Sequence, residues 1–179
     1  MQLKKATYNT SMMYNLRMII AFSGTAFIPY LMGQQLMTIP LTLGVVAAGL
    51  SDIDDRFSVR IMNLIYTYIG FFISASAVQL LFPYPIVFAI GLIGACIGLI
   101  LLGSLGRRYS TISYGCLVIS VYTMLGVDLF DDWYMQPLLL VIGAIWYGII
   151  ATISFLIFPA REVQDQLAKS YSSLGDFLF

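Results

Sequence analysis

Histidine is absent from this sequence and charge is scarce, with nine Lys and Arg, nine Asp and Glu and a net charge of zero over 179 residues. Without an imidazole the chain cannot build a Ser-His or Cys-His nucleophile pair, an imidazole base, or a His-ligated zinc or haem site. Without a basic excess it carries no electrostatic footprint for nucleic acid. Cys96 and Cys116 are the only cysteines, each inside an apolar run and neither in a CxxC pair. No metal or cofactor site is expected from them. Both lie ten residues from Gly106, so a hairpin turning there sets them at one depth, where they read as small packing hydrophobes. The shortage of charge excludes more. Only 10% of residues are charged and 60% are hydrophobic, against about 25% and roughly 45–50% in a soluble domain. A disordered chain needs the opposite balance. The solvent these side chains require is lipid.

A hydrocarbon core about 30 Å thick takes roughly 20 helical residues. Six nearly charge-free stretches fit, at about 11–32, 36–50, 61–81, 85–105, 109–127 and 133–158, with 1–10 before them. The breaks are Gly33-Gln34-Gln35, the charged run after Leu50, Phe82-Pro83-Tyr84-Pro85, Gly106 and Asp128 to Asp132. None of the runs alternates with period two, so a membrane barrel is a poor alternative. The expected fold is an all-α bundle of six transmembrane helices. All nine Lys and Arg fall in the N-terminal segment, the loops after spans two and four, and the tail, while the three opposite connections carry none. By the positive-inside rule both termini face the cytoplasm. No signal-peptide cleavage pattern follows span one. Tyr30, Tyr84, Trp133 and Tyr134 read as interfacial anchors on the outer side. Over 160–179 the spacing of Val163, Leu167, Tyr171, Leu174 and Leu178 describes the start of an amphipathic cytoplasmic helical domain that continues past the sequence.

Polar and small residues recur at helical spacing inside the spans. Span three carries Asn63, Thr67, Gly70, Ser74 and Ala77; span five carries Ser113, Cys116, Ser120 and Thr123; span four offers Gly94 and Gly98 as a GxxxG. Close helix packing is the preferred reading for the glycines. For Asn63, Thr67, Ser74, Ser113, Ser120 and Thr123 the lining of a substrate pathway is nearly as good. Span two is short, and Pro40 lies in its first half within Thr38-Ile39-Pro40-Leu41-Thr42. Two readings stand level. One is a discontinuous helix whose freed backbone, with Thr38, Pro40 and Thr42, faces a substrate; the other is a proline tolerated in the first turn of a tilted helix. Arg17 is the one basic residue within a span, and snorkelling to water is preferred over a role as counter-ion to an anionic substrate. Asp52, Asp54, Asp55 and Arg56, with Arg107 and Arg108 across the cytoplasmic side, form a candidate mouth or gate, and no carboxylate is placed in mid-membrane. No nucleophile and base pair up within the spans, so an enzyme is not expected.

Several stretches resemble a known family: Thr38-Ile-Pro-Leu-Thr-Leu-Gly-Val-Val-Ala-Ala-Gly-Leu-Ser-Asp-Ile-Asp-Asp-Arg56, Leu80-Leu-Phe-Pro-Tyr-Pro85, Leu101-Leu-Gly-Ser-Leu-Gly-Arg-Arg-Tyr-Ser-Thr111, Tyr122-Thr-Met-Leu-Gly126 and Phe158-Pro-Ala-Arg161. Together they are similar to the YccS-like branch of the fusaric-acid-resistance (FUSC) superfamily of bacterial inner-membrane proteins. The resemblance implies two halves, each of six membrane helices followed by a cytoplasmic helical domain, in a homodimer. This chain corresponds to the first membrane half, with the second half missing. It further implies transport of small organic anions, aromatic carboxylates above all. The alternative is a membrane scaffold that anchors and dimerises cytoplasmic domains without transporting anything.

Overall fold

In a computed structural model, which describes residues 2–52 and 57–157, the chain folds as six helices with no strand among the described residues. They are α1 (Gln2–Leu31), α2 (Thr38–Leu50), α3 (Phe57–Leu81), α4 (Pro85–Ser104), α5 (Arg107–Met124) and α6 (Met135–Ile157). Each expected break is a real one. Gly33 takes a left-handed φ of 73° and donates to the Tyr30 carbonyl, while Gln34 donates to that of Pro29. This doubly bonded ending stops α1 where only glycine sits without strain. Pro85 opens α4 at its first turn, where its missing N–H costs nothing. Within the segment 1–10 expected before span one, α1 already begins at Gln2. The tail helix expected over 160–179 lies outside the described residues.

Three helices are long and apolar enough to cross a bilayer by composition: Val59–Leu81, Pro85–Ser104 and Met135–Ser154. A further helical stretch, Gln35–Leu50, is apolar but shorter. The core draws on α1, α2, α3, α5 and α6 through Ala21, Val45, Ala47, Ala48, Phe71, Ala75, Ile119, Leu140, Ala144 and Tyr147. No residue of α4 is buried, and Ile86, Ile90, Ile93, Ile97 and Ile100 all stand out from the bundle. The most apolar helix is the outermost one, as a lipid solvent requires.

The centre of the bundle is the crossing of α2 and α6. A Cβ on Gly44 would land on the carbonyl oxygen of Leu140, and one on Gly143 would land on that of Leu41. The two backbones touch reciprocally, which is how helices associate where no hydrophobic effect separates protein from solvent. Pro40 is buried, two residues after the start of a continuous helix. Of the two readings of span two, the first-turn proline is the one observed. The expectation for span four is corrected. Nothing lies within 4 Å of a Cβ at Gly94 or Gly98, because these glycines face away from α5 and the bundle.

The contrast is testable. Gly44→Leu or Gly143→Leu drives a side chain into the facing backbone and should abolish the folded protein in a detergent melting or fluorescence-detected sizing assay. Gly94→Leu and Gly98→Leu should leave both readouts at wild-type values.

Candidate functional site

Helix α2 has 13 residues, about 20 Å at 1.5 Å per residue, and so ends roughly 10 Å short of crossing a 30 Å core. Ser51 closes it, donating its N–H to the Ala47 and Ala48 carbonyls and its hydroxyl to that of Ala47. The next residue, Asp52, leaves the helix and turns into the bundle, where its side chain is only 5% exposed. One oxygen, Oδ2, accepts from three helices at once. Arg60 of α3 donates at 2.6 Å, Tyr147 of α6 through its hydroxyl at 3.1 Å, and Arg17 of α1 at 3.3 Å. The two arginine side chains are 2% and 10% exposed.

Three helices meet here at a common depth. Arg17 lies 14 residues before the end of α1 at Leu31, Asp52 lies 14 after the start of α2 at Thr38, and Tyr147 lies 12 after the start of α6 at Met135. At 1.5 Å per residue these are all about 18–21 Å from the far ends. Arg60 sits one turn into α3 and spans the remaining distance with its long side chain. Around them, Met18 and the Tyr147 ring lie against Gly49, and the Tyr68 hydroxyl occupies the space that a side chain on Gly148 would need.

This arrangement corrects three expectations. Arg17 does not snorkel to water; it turns inward to Asp52, because a buried carboxylate is a stronger attraction than the interface. Asp52, expected with Asp54, Asp55 and Arg56 at a cytoplasmic mouth or gate, has its carboxylate inside the bundle, brought there by the early end of α2. Arg60, assigned to the loop after span two, is helical and buried. Its pairing with the acidic run was one of the partnerships open in the sequence, beside Arg56 and the Arg107-Arg108 turn, and it lies three residues before Asn63 and seven before Thr67, on the same polar stripe. Tyr147 was missed, and a tyrosine in mid-span rather than at an interface was its mark.

The remaining candidates divide. Thr42, Thr67, Ser120 and Thr123 each donate to the carbonyl four residues earlier in their own helix, at 2.8–2.9 Å. Ser74 hydrogen-bonds Cys116. Asn63 and Ser113 are buried, and the polar atoms of both side chains have no hydrogen-bond partner among the described residues. Thr38 is away from the cluster and lines, with Phe27, Tyr30 and Gln35, a groove of about 910 Å³ between α1 and α2. Arg108 lies over the Tyr66 ring at 5.3 Å. Tyr66 is six residues beyond Arg60 on α3 and hence about 120° around that helix, so Arg108 is not part of the cluster. Asp54, Asp55 and Arg56 lie outside the described residues, as does the side chain of Arg107. Two buried glutamines went unnoticed in the sequence. Gln136 donates to the Thr123 carbonyl and Gln79 to that of Val127, tying α6 and α3 to the end of α5.

Removing one member of a buried charge pair strands the other at a cost of about 3–5 kcal/mol, while losing a neutral donor to a charged acceptor costs about 1.5–3 kcal/mol. Arg60→Ala should therefore lower stability most and Tyr147→Phe less. Unfolding by heat or denaturing detergent, followed by circular dichroism, gives the order.

Residues 63–179 match the sequence model of a family described as FUSC-like inner membrane protein yccS. The inner membrane protein YccS of Escherichia coli K12 is 49% identical over 176 residues, which cover 98% of this chain and 24% of that protein. An uncharacterized protein of Haemophilus influenzae is 36% identical over 142 residues, covering 79% of this chain and 20% of its own length. The chain thus spans about a quarter or less of the curated relatives it matches. No solved structure matches it. The family match reaches from Asn63 through α3, α4, α5 and α6, and the chain belongs to the FUSC-like family of bacterial inner-membrane proteins.

Proposed function

We propose that this chain is the membrane half of an inner-membrane transporter for organic anions, aromatic carboxylates in particular, with both termini in the cytoplasm. One observation carries the reading: two guanidinium groups and a phenol, from three helices, are aimed at a single carboxylate oxygen inside a membrane bundle. Ionisable side chains at that depth are costly and concentrate where a polar solute passes. The placement of all nine Lys and Arg on one side of the sequence topology supports the cytoplasmic termini. It also gives that side a field that draws anions in. Arg17 and Arg60 then hold the anion, Tyr147 adds a neutral donor, and the Tyr147 ring and the Met18 thioether supply an apolar wall. Asn63 and Ser113 offer further polar groups along α3 and α5. The proposal includes a homodimer of the full-length protein, completed by its C-terminal half, with no chemical step on the solute.

The test is flux of labelled benzoate into liposomes holding the full-length protein, with and without a pH gradient. Saturable uptake is expected, and Arg17→Gln should lower it by about tenfold or more, the loss of one charge-assisted contact, with folded yield retained. Equal flux in protein-free liposomes overturns the reading.

The second reading is the scaffold, favoured by the hydroxyls of Thr42, Thr67, Ser120 and Thr123 that turn back on their own helices. Cysteine placed at Ser74 or Ser120, with Cys96 and Cys116 replaced, separates the two. Reaction with a membrane-impermeant maleimide supports a pathway, and protection supports the scaffold.

A further inference from the structure

We infer that Asp52 is a built-in occupant of a carboxylate-binding site, which a carboxylate solute takes over by displacing it. The inference rests on the transport reading for its ligand class and goes beyond it in saying what the site holds between ligands.

The donors and the acceptor are built differently. Arg17, Arg60 and Tyr147 sit on α1, α3 and α6, three helices of the bundle. Asp52 sits on none. It is outside regular structure, one residue past the turn that ends α2. Asp52 is held by no helix of its own, whereas moving any of the three donors moves a helix. Of the two guanidinium groups, Arg60 approaches Oδ2 to 2.6 Å and Arg17 only to 3.3 Å.

A buried ion cluster is a poor source of stability, since apolar residues of similar volume serve as well or better. A donor triad that must receive a carboxylate, however, cannot be replaced by apolar groups, and it cannot be left open to lipid either. A tethered carboxylate solves both problems. The neighbouring wall is adaptable, because the space beside Gly49 is taken by the flexible end of Met18. The solute is therefore a monocarboxylate whose body is small or flat. It competes with a resident group, so its apparent affinity is lowered by the fraction of sites in which Asp52 is seated.

The experiment is thermal unfolding of the full-length protein in detergent, titrated with sodium benzoate or sodium acetate. Sodium chloride at equal ionic strength and benzamide serve as controls, and wild type is compared with Asp52→Ala and Asp52→Asn. Asp52→Ala is expected to melt lower than wild type and to be restored by either carboxylate but by neither control. Its half-effect benzoate concentration should be about tenfold lower than that of wild type, the equivalent of one charge-assisted contact. Adding Arg60→Gln should remove the rescue. If Asp52→Ala does not fold, Asp52→Asn is read in the same way. If neither variant folds even when purified in benzoate, the tether is indispensable and the inference is overturned. It is overturned equally if carboxylates act no better than chloride, or no better on the variants than on wild type. Because the readout is binding, it fails independently of transport. Rescue without liposome flux removes the transporter reading alone, and flux without rescue removes the occupant alone.

Discussion

A carboxylate withdrawn from water must be met by positive charge, and in this bundle that requirement organises four of the six helices. Asp52 is only 5% exposed, and the donors that make its burial tolerable come from α1, α3 and α6. Their convergence fixes the rotation of each helix about its own axis, because a turn of 100° in any one would remove its donor. The length of α2 belongs to the same constraint. A helix that crossed the whole core would carry Asp52 into water; stopping at Leu50 leaves it among the guanidinium groups.

The rest of the bundle obeys the inverted logic of a lipid solvent. Apolar area has no reason to hide, so α4 shows lipid its isoleucines and buries nothing. Small and polar residues are drawn inside beside a few large apolar ones such as Phe71, Ile119 and Leu140. Alanines line the core, Gly44 and Gly143 let α2 and α6 meet backbone to backbone, and the amides of Gln79 and Gln136 satisfy carbonyls at the end of α5.

Much of this was legible in the sequence because bilayer thickness and breakers act locally. The turn at Gly33, the prolines at 83 and 85 and the scarcity of charge each announce themselves without a partner. What was not legible depends on partners. Arg17 near a helix end reads equally as reaching for water or for a carboxylate, and only the fold brings Asp52 within 3.3 Å. A GxxxG states that two backbones can approach, not that they do: Gly94 and Gly98 meet nothing, while Gly44 and Gly143, on different helices and without that spacing, form the central contact. Arg60 was legible as one possible partner of the acidic run but not as a helical residue, since Arg56 and the acidic residues gave it the look of a loop; extending the polar stripe of α3 backward by one turn places it.

The contacts to Asp52 differ widely in how much chain each encloses. Arg60 is eight residues away, Arg17 is 35 and Tyr147 is 95. A chain made from its N-terminus therefore has Arg17, Asp52 and Arg60 available soon after α3 emerges, and it carries that charged group through the insertion of α4 and α5 before Tyr147 exists. The last donor arrives only with α6, as does Gly143, the partner of Gly44. Because α3 packs on α5 and α6 rather than on α1 and α2, the charged group gains its final geometry only when α6, with Tyr147 and Gly143, joins the bundle.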